Sequence, residues 1–254
     1  MREIKDMSVL VTGGGSGIGE GCARWLCERG ARVTISGRRA DKVQAVAESI
    51  GTHCRAVVGD VTVAADRAAM LAAAVDHGQG RLEGLVNNAG NMYKQAVTDY
   101  EEGFLKEAFA TNVIAPMLLS SLAVPFLEKT SGAILFMGSI HTRRAYPGAT
   151  PYATTKAAVE GLARVMAAEL GRRQIRVSCI LPGAVNTEIN VRAGLFTQEQ
   201  SNARYDSLAK DHALGRIGTS QEIAEGVGYL LRAEWVTGVA LEIDGGLGLG
   251  VSNF

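Results

Sequence analysis

Seven short apolar runs, rich in β-branched residues, alternate along this chain with longer Ala-rich segments whose apolar positions recur at helical period. The strand-like runs fall near residues 9–12, 32–36, 54–58, 84–86, 133–137, 176–180 and 240–243. Helical segments fall near 18–29, 40–49, 64–77, 100–127, 152–170 and 221–231. Strands apolar along nearly their whole length need cover on both faces, and strands separated by helices are joined by crossovers rather than hairpins. The pattern therefore predicts an α/β fold with a seven-stranded parallel β-sheet flanked by helices on both faces. No linker, repeat or low-complexity stretch interrupts it, so residues 1–254 read as a single domain. One long mixed segment, 186–218, is rich in Gln, Asn and Arg. It follows the sixth strand, on the edge where open α/β sheets bind ligands, and reads as a lid.

The first strand runs directly into TGGGSGIG, residues 12–19, which opens the first helix. Glycine-rich strings also mark ordinary turns, but strand before and helix after is the setting of dinucleotide binding. Gly13 permits the tight turn, Gly17 admits a pyrophosphate close to the backbone, and Gly19 lets helix and strand pack closely. The phosphates would rest on free N–H groups at the positive end of the helix. Further along, PYATTK (residues 151–156) places the phenol of Tyr152 and the amine of Lys156 four residues apart, on one helix face.

These motifs together carry a resemblance. The sequence resembles the classical short-chain dehydrogenase/reductase family over almost its whole length. TGGGSGIG matches that family's nucleotide loop, and NNAG, residues 87–90, matches the motif ending its fourth strand. Asn112, Ser139, Tyr152 and Lys156 match its catalytic tetrad. Pro182-Gly183 follows the sixth strand and Asp244-Gly245-Gly246 closes the last. The resemblance implies a Rossmann-type doubly wound fold and an oxidoreductase that moves hydride between a nicotinamide cofactor and a secondary alcohol or ketone.

It also implies roles that spacing does not give. The cofactor would be held by Gly13, Ser16, Gly17, Ile18 and Gly19 of the loop, and by Asp60 and Val61 at the adenine. Asn88, Ala89 and Gly90 would line the groove, and Pro182, Gly183, Val185 and Thr187 its nicotinamide end. Tyr152 and Lys156 would also touch the cofactor, Lys156 through the ribose hydroxyls. A free phenol, with a pKa of about 10, is a poor base at neutral pH. A neighbouring ammonium and a nicotinamide cation favour the phenolate, so Lys156 is expected to tune Tyr152 as general acid and base. Ser139 would bind the substrate oxygen, and Asn112 would anchor a water relaying the proton towards Lys156.

Gly37 stands where NAD-preferring relatives carry an acid, and Arg38 follows where a 2′-phosphate clamp would sit. Ser16 leaves the second basic position of that signature unfilled. NADP(H) is the expected cofactor, with NAD(H) as the alternative. Substrate contacts are expected from Ser139, His141, Tyr146 and Tyr152, and from the 186–218 segment. Arg143 and Arg144 read either as attracting an anion or as solvated. Arg172-Arg173 match one basic patch of 3-oxoacyl-[acyl-carrier-protein] reductases, but only Lys129 stands for the second. That activity and an NAD-dependent sugar or polyol dehydrogenase remain alternatives, with a dinucleotide-sensing binding protein as the non-enzymatic one.

Lys and Arg number 26, as do Asp and Glu. Such a balance gives no long-range pull towards nucleic acid or an anionic membrane. No uninterrupted apolar run reaches membrane-spanning length. Cys22, Cys27, Cys54 and Cys179 lack CxxC spacing and read as reduced core filler, so no metal site is expected. A cytoplasmic location fits these features. The family resemblance adds a homotetramer, with segments 100–127 and 152–170 packing between subunits through Ala157, Ala158, Gly161, Ala167 and Ala168.

Overall fold

A computed structural model describes residues 1–250. Its sheet contains strands β1 (Ser8–Thr12), β2 (Arg32–Gly37), β3 (Cys54–Val58), β4 (Gly84–Asn87), β5 (Ala133–Met137), β6 (Arg176–Pro182) and β7 (Ala240–Ile243). All are parallel, in the order β3-β2-β1-β4-β5-β6-β7. Each predicted strand is present, within two residues at either end.

Side chains alternate across the sheet and build two cores. Val9 and Val11 of β1 join a core with Trp25, Leu26, Val33 and Ile35. Leu10, between them, points into the opposite core with Leu85, Ile134 and Phe136. Helices α1 (Gly17–Cys27), α2 (Ala40–Ile50) and α9 (Ser220–Arg232) supply the first core. Helices α3 (Ala64–His77), α5 (Ala115–Thr130) and α6 (Thr150–Leu170) supply the second. Because β1 lies between β2 and β4, the chain reverses its winding direction there. The crevice at the carboxyl ends of β1 and β4 is the switch point at which such sheets take ligands.

Two segments differ from the sequence reading. The expected 100–127 helix is α4 (Glu102–Phe109), then a π turn (Ala110–Ile114), then α5. Apolar periodicity continues through the π turn, so it left no mark in the pattern. The 186–218 segment is not wholly irregular. It holds α7 (Ile189–Arg192) and α8 (Gln198–Ala209), the latter opened by a Thr197–Gln200 capping box. A parallel bridge from Val185 to Gly218, with Gly218 N–H donating to Ala184 at 2.8 Å, ties its base shut.

By length and composition the continuous helical stretch Glu102–Thr130 could cross a membrane, but half of its most apolar window is buried here. The four cysteines are free and buried, and the Cys27 thiol donates to the His53 carbonyl at 3.4 Å.

Candidate active site

The glycine loop turns at Gly13, where φ is +68°, a conformation that costs glycine little. A Cβ there would lie 2.9 Å from the Cα of Ala89, and one at Gly19 would collide with the Gly13 carbonyl and the Asn88 amide. Asn88 fastens this turn from the end of β4, donating to the Thr12 carbonyl at 2.9 Å and to that of Gly13 at 3.1 Å. Thr12 Oγ1 accepts from the Asn88 and Ala89 N–H groups. At the head of α1 the Ser16 side chain makes no cap. Gly17, at φ +58°, lies under Thr187, whose Cγ2 would be 3.0 Å from a Cβ there. Uncapped N–H groups beneath a side-chain-free backbone fit a dinucleotide pyrophosphate.

Two adjoining hollows continue from this loop. One is walled by Gly37, Arg38, Arg39, Asp60 and Val61, where the sequence placed the adenosine. Asp60 accepts from the Thr62 N–H and hydroxyl, both at 2.8 Å, and pairs with Arg38 at 3.7 Å. Burial alone would raise its carboxyl, but Thr62 and Arg38 outweigh that and hold it low. The Arg38 side chain is 68% exposed. Arg39 turns inward, 3.1 Å from Ser16 Oγ and 3.0 Å from Glu188. Thus a guanidinium reaches the position where Ser16 itself supplies no charge.

The other hollow brings Ser139, His141, Tyr146, Tyr152 and Lys156 together with Gly17, Ile18, Asn88, Ala89, Gly90, Pro182, Gly183, Val185 and Thr187. Tyr152 and Lys156 face it from the first turns of α6, opened by Pro151. Lys156 Nζ is 5.5 Å from the centre of the Tyr152 ring and donates to the Met137 carbonyl at 2.7 Å. Ser139, just past β5, lies beside Tyr152 and pulls its phenol downward. Its Oγ also lies 3.0 Å from His141 Nδ1 and accepts from the His141 N–H at 3.3 Å. The His141 ring stands between Tyr146, with centroids 4.5 Å apart, and Tyr152, edge-on at 5.1 Å.

Asn112 is buried in the π turn, with its side-chain amide engaged by protein groups. Its Oδ1 accepts from the Asn91 N–H at 3.0 Å. Its Nδ2 donates to the Asn91 carbonyl and to Thr155 Oγ1, both at 3.1 Å. Thr155 in turn donates to the Tyr152 carbonyl at 2.7 Å. The Asn112 side chain thereby braces the loop after β4 against the Tyr152 helix.

Burial dominates the protonation of both Tyr152 and Lys156. It pushes the Tyr152 phenol up to about 12, against a smaller downward pull from Ser139. Burial likewise pulls Lys156 down to about 8. The Lys156 ammonium is directed at a backbone carbonyl, so burial prevails over its attraction for the phenolate.

Sequence reasoning missed several groups at this site because no motif marks them. Arg192, on α7, donates to the Gly90 carbonyl at 2.7 Å and lines both hollows, crossing between them. Glu188 holds Arg39 and Lys42. Lys94 and Arg204 stand on the walls of the Tyr152 hollow. Arg143 is held by Glu160 and Glu242, and Arg144 by Asp211, which answers whether they are solvated.

A parallel sheet with a glycine cradle at its switch point, beside a buried Tyr-Lys-Ser constellation, defines a nicotinamide-dependent oxidoreductase class. The family model described as enoyl-(acyl carrier protein) reductase matches residues 13–248. The 2-(S)-hydroxypropyl-CoM dehydrogenase 3 of Xanthobacter autotrophicus is 33% identical over 252 residues, 97% of this chain and 98% of that protein. A short-chain dehydrogenase/reductase of unknown function from Caenorhabditis elegans, solved with cofactor, superposes with a TM-score of 0.91 at 26% identity. That match covers 98% of this chain and 97% of the other. The 3-ketoacyl-(acyl-carrier-protein) reductase of Brucella melitensis, complexed with NADH, gives 0.87 at 28% identity, covering 97% and 100%. The chain belongs to the short-chain dehydrogenase/reductase family. It is an NAD(P)-dependent oxidoreductase acting on an alcohol or ketone group.

Proposed function

We propose that this enzyme interconverts a secondary alcohol and a ketone with NADP(H), using Tyr152 as the proton carrier. The observation that carries the reading is the convergence of Tyr152, Ser139 and Lys156 in one hollow beside the glycine cradle. When bound, the nicotinamide supplies or accepts the hydride and brings positive charge that favours the phenolate. Ser139 donates to the substrate oxygen and steadies the charge that develops on it. Tyr152 removes the hydroxyl proton in oxidation and returns it in reduction. Lys156, depressed to about 8, takes that proton onward near neutral pH. Asn112 keeps the Tyr152 helix in register through Thr155.

Three cations, Arg38, Arg39 and Lys42, border the adenosine hollow beside Gly37. They support a 2′-phosphate there, with Arg38 the freest to turn towards it. Arg39 and Lys42 are already shared with Glu188. Titration of the protein with NADPH and with NADH, on wild type and Arg38→Ala, tests this reading. Wild type should prefer NADPH by about ten-fold or more, and the variant should lose most of that preference. Equal or tighter NADH binding, unaffected by the substitution, would contradict it.

A homotetramer fits the exposed face of α5, where Ile114, Met117, Leu118 and Leu122 meet solvent. On α6 the exposed stripe is Ala157, Gly161, Val165 and Ala168. Ala167, expected in that stripe, is instead buried in the protein's own core, because it faces β6 and β7 rather than outward.

A further inference from the structure

Two basic side chains in the Tyr152 hollow lack the partners that occupy every other cation nearby. Lys94 comes from the loop after β4, and Arg204 from α8, so two separate elements bring them to the hollow's wall. Both approach one aromatic ring: Lys94 Nζ lies 5.9 Å from the centre of Phe196 and the Arg204 guanidinium 5.6 Å. Around them, Arg39 is held by Glu188, Arg143 by Glu160 and Glu242, and Arg144 by Asp211. Arg192 and Lys156 are bound to backbone carbonyls. Among the described residues, neither Lys94 nor Arg204 has a carboxylate partner or a side-chain hydrogen bond.

Both are half-buried. Bringing two like charges together while removing water from them is unfavourable unless an anion joins them. The cost is visible on their neighbours. Burial pulls the Lys94 ammonium down and Arg204 pulls it further. Burial brings His141 to about 4, and Lys94 and Arg204 press on it more than Lys156 does. His141 is therefore neutral at pH 7 and offers no charge of its own.

We propose that Lys94 and Arg204 form a carboxylate-binding subsite, so that the substrate is an oxo acid or hydroxy acid whose anionic end lies remote from the reacting carbon. This rests on the oxidoreductase reading of the same hollow. The Arg204 fork can take a carboxylate edge-on, while Lys94 supplies a second charge from a separate element. A sugar or a neutral ketone would leave both cations uncompensated. Helix α8 contributes one of the two, so binding of the acid also draws that helix onto the substrate.

The test is equilibrium binding and turnover on the full chain saturated with NADPH. The probes are 4-oxopentanoate, 5-oxohexanoate and 6-oxoheptanoate, each beside its methyl ester, which removes the charge and keeps the shape. Wild type, Lys94→Met, Arg204→Met and the double variant are compared, with thermal melts to confirm folding. At one chain length the acid should bind about ten-fold or more tighter than its ester. Each single variant should narrow that ratio and the double variant abolish it. No preference for the acid at any length, or an undiminished preference in the double variant, would overturn the subsite. Turnover separates the two readings. Esters reduced as well as acids would keep the oxidoreductase and remove the subsite. Acid binding abolished in the double variant, without oxidation of NADPH by wild type, would keep the subsite and remove hydride transfer.

Discussion

Asn112 and Thr155 share a buried hydrogen bond of 3.1 Å that joins the π turn to the helix carrying Tyr152. Because Asn112 also holds both backbone polar groups of Asn91, one amide fixes the groove wall and the catalytic helix together. Asn112→Ala leaves these groups unsatisfied and is predicted to cost about 1–3 kcal/mol of stability. Misplacing Tyr152 should lower kcat by up to about 100-fold. Thr155→Val, which cuts the same brace one residue further on, should reproduce the kcat loss. Urea unfolding and steady-state kinetics on both variants check this, and a normal kcat in both would refute the brace.

The glycine cradle admits no side chain at its tightest point. Gly19→Ala drives a methyl group into the Gly13 carbonyl and the Asn88 amide. Overpacking of this kind should destabilise by about 1–3 kcal/mol and displace the loop. Cofactor titration should then show weakened binding alongside a lower melting temperature. Gly171→Ala, at the end of α6 with nothing within 4 Å, serves as the folding control.

Lys156 gives folding a defined pH dependence. Its ammonium ordinarily titrates at 10.5 and burial lowers it to about 8. Between those values the unfolded chain binds more protons than the folded one, so stability should rise with pH across that window. Tyr152, raised from 10.0 to about 12, acts in the opposite direction above pH 10. Comparison with Lys156→Met between pH 8 and pH 10 isolates the lysine. Wild type should gain about 2–3 kcal/mol relative to the variant over that interval. Parallel stability curves would show that Lys156 is not held in the buried, depressed state.

Arg192 crosses from α7 to the Gly90 carbonyl between the two hollows, and burial lowers its guanidinium. An anionic pyrophosphate would relieve that cost. Arg192→Ala is predicted to weaken dinucleotide binding by about ten-fold, chiefly through faster release. Stopped-flow displacement reads the rate directly, and an unchanged release rate would remove Arg192 from the cofactor site.

The sheet, its order of elements and the cradle were legible because each rests on local chemistry. Apolar runs specify strands, glycines specify the turn, and Pro151 opens α6. The Tyr152, Lys156 and Ser139 constellation followed from resemblance. What escaped the sequence is long-range. The π turn at Asn112 preserves apolar period and so leaves no signature. Whether Arg38 or Arg39 faces inward depends on where Ser16 and Glu188 come to lie, and Glu188 is 149 residues from Arg39. Lys94 and Arg204 carry no motif, and only the folded chain brings them to one hollow. The burial that shifts Tyr152 and Lys156 is also a long-range property that sequence does not display.

The account turns on the Tyr152 hydroxyl as the proton carrier. Nicotinamide absorbance during turnover of a ketone, followed from pH 6 to pH 10 in wild type and Tyr152→Phe, tests this most directly. Reduction by wild type should weaken as pH rises past about 8, where Lys156 loses the proton it passes to Tyr152, and oxidation of the matching alcohol should strengthen. The variant should still bind NADPH, yet lose about 100- to 10,000-fold in kcat in both directions. A variant that turns over at the wild-type rate, with the same pH profile, would contradict the mechanism.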